Sequence, residues 1–429
     1  MSIPSTAILH YTAPPIIGGV EAVILAHARA FVEAGYPVTL VAGRGEAEAL
    51  ATMAARSGDP VDLLLIPELD SRHERVLEIQ AELEEGRVPD DFQTLADEIY
   101  RQLVVRLDPF DNVIVHNVFT KRFNLPLTAA LFRLLDSDPS THHIAWCHDF
   151  DWTSPRSRSK VHPGYPWDLL RTYRQDMTYV VVSKERQEML ADLLGCPRDK
   201  IHVVYNGVDS ELLLGLSDEG RALIDRLDLF EADLTLLMPV RVTRAKNIEF
   251  ALKVVAALKG RGRRPKLVLT GPPDPHDETS MDYFHSLQAL RAELGVEDEM
   301  RFVFESGPGG EEGLTIGYDV VADLYRACDV MFMPSHHEGF AMPVLEAGLV
   351  GMPVFCTAVP AAVEIGGDEV VIFDEEDEPD DVAGRLLAWA EDSAVHRLRR
   401  RVSKLYTWEA IFRRCIEPLL QARRPGAEG

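Results

Sequence analysis

Short apolar runs alternate along this chain with longer segments whose apolar residues recur every three or four positions. The first set consists of TAILHY (residues 6–11), a helical pattern that begins after Gly18 and Gly19, and VTLVAG (residues 38–43). Apolar runs bounded by turn residues indicate buried strands, and the longer period indicates amphipathic helices. Because the alternation continues through the chain, it predicts the βαβ units of an α/β fold.

The chain is long enough for two domains. Its 429 residues exceed the length that one hydrophobic core commonly supports. We predict an N-terminal domain over residues 1–209 and a C-terminal domain over 210–405, because a short charged region separates two α/β patterns. A last amphipathic helix is predicted at about 408–422, and the tail 423–429 is predicted to be disordered.

Composition is typical of a globular protein and disfavours several partners. No run of 18 apolar residues occurs, and the N-terminus lacks a basic flank before its short apolar stretch, so we expect a cytoplasmic protein without stable membrane insertion. The five cysteines form no CxxC pair, which argues against a zinc site and a disulfide framework. The net charge of −25 disfavours nucleic acid. The oligomeric state stays open.

A candidate binding site lies in the stretch HHEGFAMPVLEAG (residues 336–348), between a predicted strand and a helix predicted to open at Pro343. Proline at the first helical position gives up no needed N–H group, so the first-turn amides and the positive end of the helix dipole suit a phosphate. Glu338 and Glu346 bracket this place. A carboxylate beside a phosphate site is suited to sugar hydroxyls, although strand, turn and helix also occur together without any site.

The string EGFAMPVLEA (residues 338–347) resembles the signature of the retaining GT-B glycosyltransferases of family 4, in which two glutamates flank a Gly-Phe turn. The resemblance extends over most of the chain. It implies two Rossmann-like domains facing across a cleft, with the C-terminal helix crossing back to the N-terminal domain. It further implies that the C-terminal domain binds a nucleoside diphosphate sugar and that the N-terminal domain binds the acceptor.

The resemblance also implies roles for individual residues of the C-terminal half. Arg241 and Lys246, five residues apart after a predicted strand, would hold the donor diphosphate. Fixed cations there would stabilise the negative charge that builds on the leaving group. Glu346 would accept the ribose hydroxyls and Glu338 a hydroxyl of the transferred sugar. The other expected donor contacts are Gly271 beside the base and the stretch around the helix start, whose free amides would bind phosphate and sugar: Gly339, Phe340, Ala341, Met342, Pro343 and Val344.

Polar residues at predicted strand ends mark a second candidate region in the N-terminal half, since ligands in open α/β sheets bind beyond the carboxyl ends of strands. His116 and Asn117 follow one strand, and His148 and Asp149 follow another. His148 lies where the family places a histidine that contacts the sugar. The pattern GGVE (residues 18–21) resembles the family's glycine loop under the donor diphosphate.

The triplet Asp149-Phe150-Asp151 resembles the metal-binding DxD motif of the GT-A transferases, which have another fold. Two carboxylates without further ligands rarely hold a divalent ion, so we expect no metal and no cofactor. The predicted function is transfer of a hexose, from GDP-mannose or UDP-glucose by family habit, to a small soluble or glycan acceptor. Other GT-B enzymes, such as an epimerase or a phosphorylase, and a non-catalytic nucleotide-sugar-binding protein remain alternatives.

Overall fold

The computed structural model describes residues 3–16, 18–54, 61–137, 140–274 and 279–422. The predicted disorder of the tail 423–429 lies outside these residues. In the described residues the strands form two sheets, of seven and six strands, in which all neighbouring strands are parallel. The predicted α/β fold with two Rossmann-like domains is therefore confirmed. None of the described helices is both long enough and apolar enough to span a bilayer.

Contacts within the chain divide it into two units. The N-terminal unit ends at Val208 and resumes at Trp408, and the C-terminal unit is Asp209–Thr407.

The sheet of the N-terminal unit has the strand order β3-β2-β1-β4-β5-β6-β7. Its strands are β1 (Thr6–Thr12), β2 (Val38–Arg44), β3 (Asp62–Leu65), β4 (Asn112–His116), β5 (His142–Cys147), β6 (Thr178–Val181) and β7 (Ile201–Val203). The helices that accompany them are α1 (Gly19–Glu33), α2 (Ala47–Ala54), α3 (Glu74–Glu84), α4 (Asp91–Leu107), α5 (Leu125–Ser137) and α6 (Lys184–Leu194).

The strand order in the C-terminal unit is β10-β9-β8-β11-β12-β13. These strands are β8 (Leu234–Met238), β9 (Pro265–Leu269), β10 (Met300–Phe302), β11 (Val330–Met333), β12 (Val354–Thr357) and β13 (Val371–Phe373). Its helices are α7 (Ser210–Leu214), α8 (Asp218–Arg226), α9 (Ile248–Gly260), α10 (Ser280–Glu293), α11 (Tyr318–Ala327), α12 (Met342–Val350), α13 (Pro360–Gly366), α14 (Pro379–Asp392) and α15 (Ala394–Leu405).

Both faces of each sheet are buried, which explains why the strands are continuous apolar runs. In β1, Ala7 and Leu9 pack into one core of the N-terminal unit, and Ile8 packs into the core on the other face. In β8, Leu236 and Leu237 divide in the same way between two cores.

The chain returns to the N-terminal unit through α16 (Trp408–Ile411), a π-helical turn (Phe412–Ile416) and α17 (Glu417–Gln421). The Phe412 ring lies 5.0 Å from the Phe31 ring, and the Tyr36 hydroxyl donates to Glu417 over 2.7 Å. This segment therefore covers one face of the first sheet, beside α1.

Two local predictions differ from the structure. The apolar run MRFVFES (residues 300–306) predicts a strand, but only Met300–Phe302 is a strand and Val303–Glu305 forms a 3-10 turn. The stretch PVFCTAVPAAVEIGG (residues 353–367), whose apolar pattern predicts a strand, forms that strand only over Val354–Thr357, and Pro360 opens a helix after it. Proline fits the first helical position and has no N–H group for a strand ladder.

Candidate active site

The candidate donor residues lie where the strand order of the C-terminal sheet reverses. β8 and β11 are neighbours in this sheet, with later strands added outward on either side. The loops that follow two such strands diverge and leave a crevice at their carboxyl ends, the usual ligand position in open α/β sheets. The N–H of His336, after β11, donates to the carbonyl of Ala245, after β8, over 2.9 Å. This bond fixes the two loops to each other.

Lys246 and Glu338 meet across these loops. The Lys246 Nζ donates to both carboxylate oxygens of Glu338, at 2.8 and 2.7 Å. The buried Ser335 hydroxyl donates to the same carboxylate over 2.6 Å. The Glu338 side chain is 7% exposed and that of Lys246 is 20% exposed. The pair is thus positioned by three hydrogen bonds yet remains accessible from one side.

Four consecutive amides follow Glu338 without an acceptor. Among the described residues, no hydrogen bond is accepted from the N–H groups of Gly339, Phe340, Ala341 and Met342. Ala341 has a φ of 57°, in the left-handed region that a residue with a side chain rarely adopts. This turn directs the chain into α12, whose positive dipole end adds to the unpaired amides. The arrangement suits a bound anion.

The helix after this turn begins one residue earlier than predicted. It opens at Met342, the residue after the left-handed Ala341, so Pro343 is the second helical residue. The N–H of Val344 donates to the carbonyl of Ala341 over 3.0 Å and is not free for a ligand. The free donors therefore lie on the N-terminal side of Pro343.

Glu346 is held by two tyrosines from α11. Tyr318 donates to one carboxylate oxygen over 2.9 Å and Tyr325 to the other over 2.6 Å. Burial and the bond to Glu346 raise the pKa of the Tyr325 hydroxyl well above its ordinary value. Tyr325 is buried, whereas Tyr318 is 68% exposed. A carboxylate oxygen can accept more than one hydrogen bond, so Glu346 retains acceptor capacity.

Arg241 and Gly271 lie beside each other after β8 and β9. The Arg241 side chain is 58% exposed, and its Nη1 lies 3.9 Å from Asp274 Oδ1. A Cβ on Gly271 would lie 2.5 Å from the Val240 carbonyl oxygen and 2.7 Å from the Arg241 Cα. Gly271 is therefore required by the backbone packing itself, and it brings no side chain between a ligand and Arg241.

The candidate residues of the N-terminal unit lie at the corresponding edge of the other sheet, after β4 and β5. The His148 Nε2 and the His116 Nδ1 share a hydrogen bond of 3.2 Å. The Asn117 side-chain oxygen accepts from the N–H groups of His148 and Asp149, each over 3.1 Å. Burial lowers the pKa of His148 to about 4 and that of His116 well below its ordinary value. Both imidazoles are therefore neutral at pH 7.

The glycine turn of this unit is held by Glu21. The Gly18 N–H donates to one Glu21 carboxylate oxygen over 3.1 Å, and Thr12 donates to the other over 2.7 Å. His10 Nε2 lies 3.6 Å from the carboxylate. Contact with His10, followed by the bond from Thr12, lowers the pKa of Glu21 to about 2 against the opposing effect of burial. Glu21 thus anchors the start of α1.

The Asp149-Phe150-Asp151 triplet has a structural role at its last position. Asp151 is fully buried, accepts from Lys121 Nζ over 2.6 Å and accepts from the Arg122 N–H over 2.8 Å. Asp149 is exposed and lies 3.5 Å from Arg186. No group of three or more His, Cys, Asp or Glu side chains in the described part of the chain is arranged to hold a metal ion.

Two family models match the two halves of the chain. Residues 17–212 match the family model described as Glycosyltransferase Family 4, and residues 221–405 match the one described as Glycosyl transferases group 1. The chain belongs to the group 1 glycosyltransferases. The two Rossmann-like domains are the GT-B fold.

Three curated relatives each match part of the chain. An uncharacterized glycosyltransferase of Methanocaldococcus jannaschii is 28% identical over 58% of this chain and 61% of its own length. Mannosylglucosylglycerate synthase of Petrotoga mobilis is 27% identical over 62% and 63%. D-inositol 3-phosphate glycosyltransferase of Saccharomonospora viridis is 31% identical over 57% and 54%. The matches thus span less than two thirds of each relative.

The fold brings together predicted residues that are far apart in sequence, and it adds partners that the sequence pattern did not suggest. Lys246 and Glu338 were predicted for different parts of a donor but bind each other. Tyr318 and Tyr325 were missed, although seven residues in a helix place both on one side, facing Glu346. The Ser335 hydroxyl was missed as well, because a serine at a strand end has no distinguishing pattern.

Proposed function

We propose that this glycosyltransferase moves a hexose from a nucleoside diphosphate sugar to a hydroxyl of a small soluble or glycan acceptor, with retention of the α configuration. GDP-mannose and UDP-glucose are the proposed donors. The observation that carries the proposal is the juxtaposition, at the carboxyl edge of the C-terminal sheet, of the Lys246–Glu338 pair with four unpaired amides. A cation and free amides suit the diphosphate, and the carboxylate suits a sugar hydroxyl.

The proposed catalytic effect is electrostatic. Cleavage of the glycosidic bond leaves negative charge on the diphosphate. Lys246, the exposed guanidinium of Arg241 and the amides of Gly339 and Phe340 would stabilise that charge more strongly in the transition state than in the ground state. The departing phosphate oxygen would accept the acceptor proton on the same face, so no separate acid and base are needed.

Binding and orientation are assigned to the remaining residues. Glu346, positioned by Tyr325, would accept the ribose hydroxyls, and Glu338 would accept a hydroxyl of the transferred sugar. His148 is proposed as a hydrogen-bonding contact of the sugar. Because burial lowers its pKa to about 4, it would act in its neutral form. Gly18 and Gly19 are proposed to admit the diphosphate close to the backbone.

The acceptor is proposed to be a small polyol or a glycan. The name of one relative states transfer to D-inositol 3-phosphate, and that of another states synthesis of mannosylglucosylglycerate. The net charge of −25 is compatible with a small acceptor and disfavours a polyanion.

The test combines turnover with product stereochemistry. The full chain is incubated with GDP-mannose or UDP-glucose and a panel of inositol phosphates, glycerate derivatives and sugars, and the released nucleotide is measured. We expect release that requires an acceptor but not inorganic phosphate, and an α-linked product by its anomeric proton coupling in NMR. A β-linked product would contradict retention. Phosphate-dependent turnover, or epimerised donor without transfer, would favour the phosphorylase or the epimerase.

A further inference from the structure

A second cavity opens at the opposite edge of the C-terminal sheet from the donor residues. It has a volume of about 600 Å³, and its lining includes Asp329, Pro353 and Glu369. Asp329 and Pro353 immediately precede β11 and β12, and Glu369 lies two residues before β13, so this amino-edge pocket adjoins the amino ends of three strands. The loop with Glu338 follows the carboxyl end of β11. A four-residue strand such as β11 is about 13 Å long. The pocket and the Glu338 loop are therefore separated by about the length of this strand.

One cation in the amino-edge pocket has no anionic partner. Arg399 of α15 lines the pocket and donates one N–H to the carbonyl of Arg326. Within the described ranges, no carboxylate lies within ion-pair distance of Arg399. Its neighbours differ, since Arg400 pairs with Asp329 at 2.5 Å and Arg326 pairs with Asp323. Arg399 thus retains guanidinium donors for a ligand.

The environment of Arg399 favours an incoming anion. Burial lowers the pKa of the Arg399 guanidinium against the attraction of Asp329, and the nearby Arg400 charge lowers it further. Arg399 is thus partly withdrawn from water with no carboxylate within ion-pair distance among the described residues, and a bound carboxylate or phosphate would stabilise it through charge-assisted hydrogen bonds. Asp329 forms its ion pair with Arg400 and not with Arg399. Glu369, the other acidic residue that lines the pocket, is exposed.

Part of the pocket wall is apolar and open to solvent. Val350, Met352, Pro353 and Val395 line it, and Val395 is 79% exposed. A ligand that covers exposed aliphatic side chains gains about 25 cal/mol of binding free energy for each Å² of apolar surface removed from water. A volume of about 600 Å³ lies within the usual range for small-molecule sites.

We propose that the amino-edge pocket binds a small organic anion with an apolar body, whose acidic group contacts Arg399 and whose apolar body covers Val350 and Val395. The pocket lies at the other edge of the sheet from Lys246 and Glu338, although Tyr325, which donates to Glu346, is among its lining residues. The proposal does not depend on which sugar is transferred. Its ligand class is an aliphatic or aromatic carboxylate or phosphate monoester.

Isothermal titration of the full chain with three probes tests this site. Octanoate has both the acidic group and the apolar body, 1-octanol lacks the charge, and acetate lacks the body. We expect octanoate to bind at least tenfold more tightly than either of the others. Arg399→Gln is expected to weaken octanoate at least tenfold. Arg401→Gln, an exposed change of the same kind on the same helix, is expected to leave the affinity unchanged.

Further measurements distinguish binding in this pocket from binding at the donor site and from loss of the fold. Val395→Ser changes an exposed side chain that the fold does not need, and it is expected to weaken octanoate severalfold. Glu369→Gln, which removes the exposed carboxylate, is expected to strengthen octanoate binding. Saturating GDP or UDP should not displace octanoate. The proposal is overturned if octanoate and 1-octanol bind equally, if Arg399→Gln keeps full affinity, or if the nucleotide displaces octanoate.

Discussion

At the scale of single residues, the pairing of Lys246 with Glu338 has the clearest consequence. The ammonium that is proposed to bind the diphosphate is neutralised by the carboxylate that is proposed to bind the sugar. Donor binding must therefore share or replace this ion pair. The two side chains cannot be treated as independent contacts, because removal of one changes the charge that the other presents to the ligand.

Variants of this pair are expected to act in opposite directions on nucleotide binding. Lys246→Ala should lower kcat on the order of 10²-fold and weaken binding of free nucleoside diphosphate. Glu338→Gln should lower kcat but strengthen nucleotide binding about fivefold, since it removes about 1 kcal/mol of opposing charge. Titration calorimetry and steady-state kinetics measure both. Lys253→Ala and Glu297→Gln, at exposed positions, are the controls. Weaker nucleotide binding by Glu338→Gln would show that Glu338 mainly positions Lys246.

A substitution at Gly339 tests whether the ligand lies against the backbone, because the substitution does not disturb the fold. A Cβ at this position meets nothing within 4 Å, and the backbone is not left-handed. Gly339→Ala should therefore keep the melting temperature but weaken donor binding at least tenfold, if the phosphates lie against the amides. Gly348→Ala, inside α12 and equally unobstructed, should add about 0.5–1 kcal/mol of stability and leave donor binding unchanged. Unaltered donor affinity in Gly339→Ala would remove the amides from the proposed site.

We predict that turnover needs no metal ion. Asp151 already accepts from Lys121, Glu338 already accepts from Lys246, and the groups proposed to bind the diphosphate are cations and backbone amides. Turnover should be the same with EDTA as with magnesium or manganese. If EDTA abolished turnover and magnesium or manganese restored it, Asp149 or another carboxylate would bind a metal ion in the donor complex.

At the scale of secondary structure, the last segment of the chain completes the N-terminal unit. Ile411, Phe412 and Ile416 belong to the same core as Ile8 and Phe31. These two parts of the chain lie at least 380 positions apart in the sequence, yet they pack against each other in one core. The stability of the first sheet therefore depends on the end of the sequence.

Phe412→Ala should destabilise the N-terminal unit by about 3–5 kcal/mol, because a fully buried aromatic side chain is lost and a cavity remains. Urea unfolding followed by tryptophan fluorescence reports on this unit, since four of the five tryptophans belong to it. Arg413→Ala, next to it on the exposed side, removes only an ion pair with Glu409 and should cost less than about 0.5 kcal/mol. A loss below about 1 kcal/mol for Phe412→Ala would contradict the packing of this segment on α1.

At the scale of the whole molecule, buried neutral histidines connect stability to pH. Burial, with the nearby His148 adding to it, lowers the pKa of His27 from an ordinary 6.5 to about 3. Burial similarly lowers the pKa values of His116 and His148. The unfolded chain binds more protons than the folded chain between the ordinary and the lowered values. The contribution of these histidines to the free energy of unfolding is therefore fully present above about pH 6.5, and it falls as the pH drops toward 4.

Each of these histidines is expected to remove up to about 1.4 kcal/mol of unfolding free energy per pH unit in that window. The measurement is urea unfolding at pH 7 and pH 5, followed by tryptophan fluorescence. His27→Leu should reduce the dependence on pH, whereas His285→Gln, at an exposed position, should not. Equal stability of the wild-type chain at both pH values would contradict the neutral buried state.

The sequence by itself determined the α/β class, most strands, the family and the glycine turn between Glu338 and Glu346. These features depend on local periodicity and on a contiguous motif, so neighbouring residues carry them. The tertiary structure alone decided that Lys246 pairs with Glu338, that Tyr318 and Tyr325 hold Glu346, and that Asp151 is taken by Lys121. It also decided that Arg399 lines a pocket without an anionic partner among the described residues. Such pairings join loops and helices that are distant in sequence, and only the order of strands in the sheets brings them within hydrogen-bonding distance.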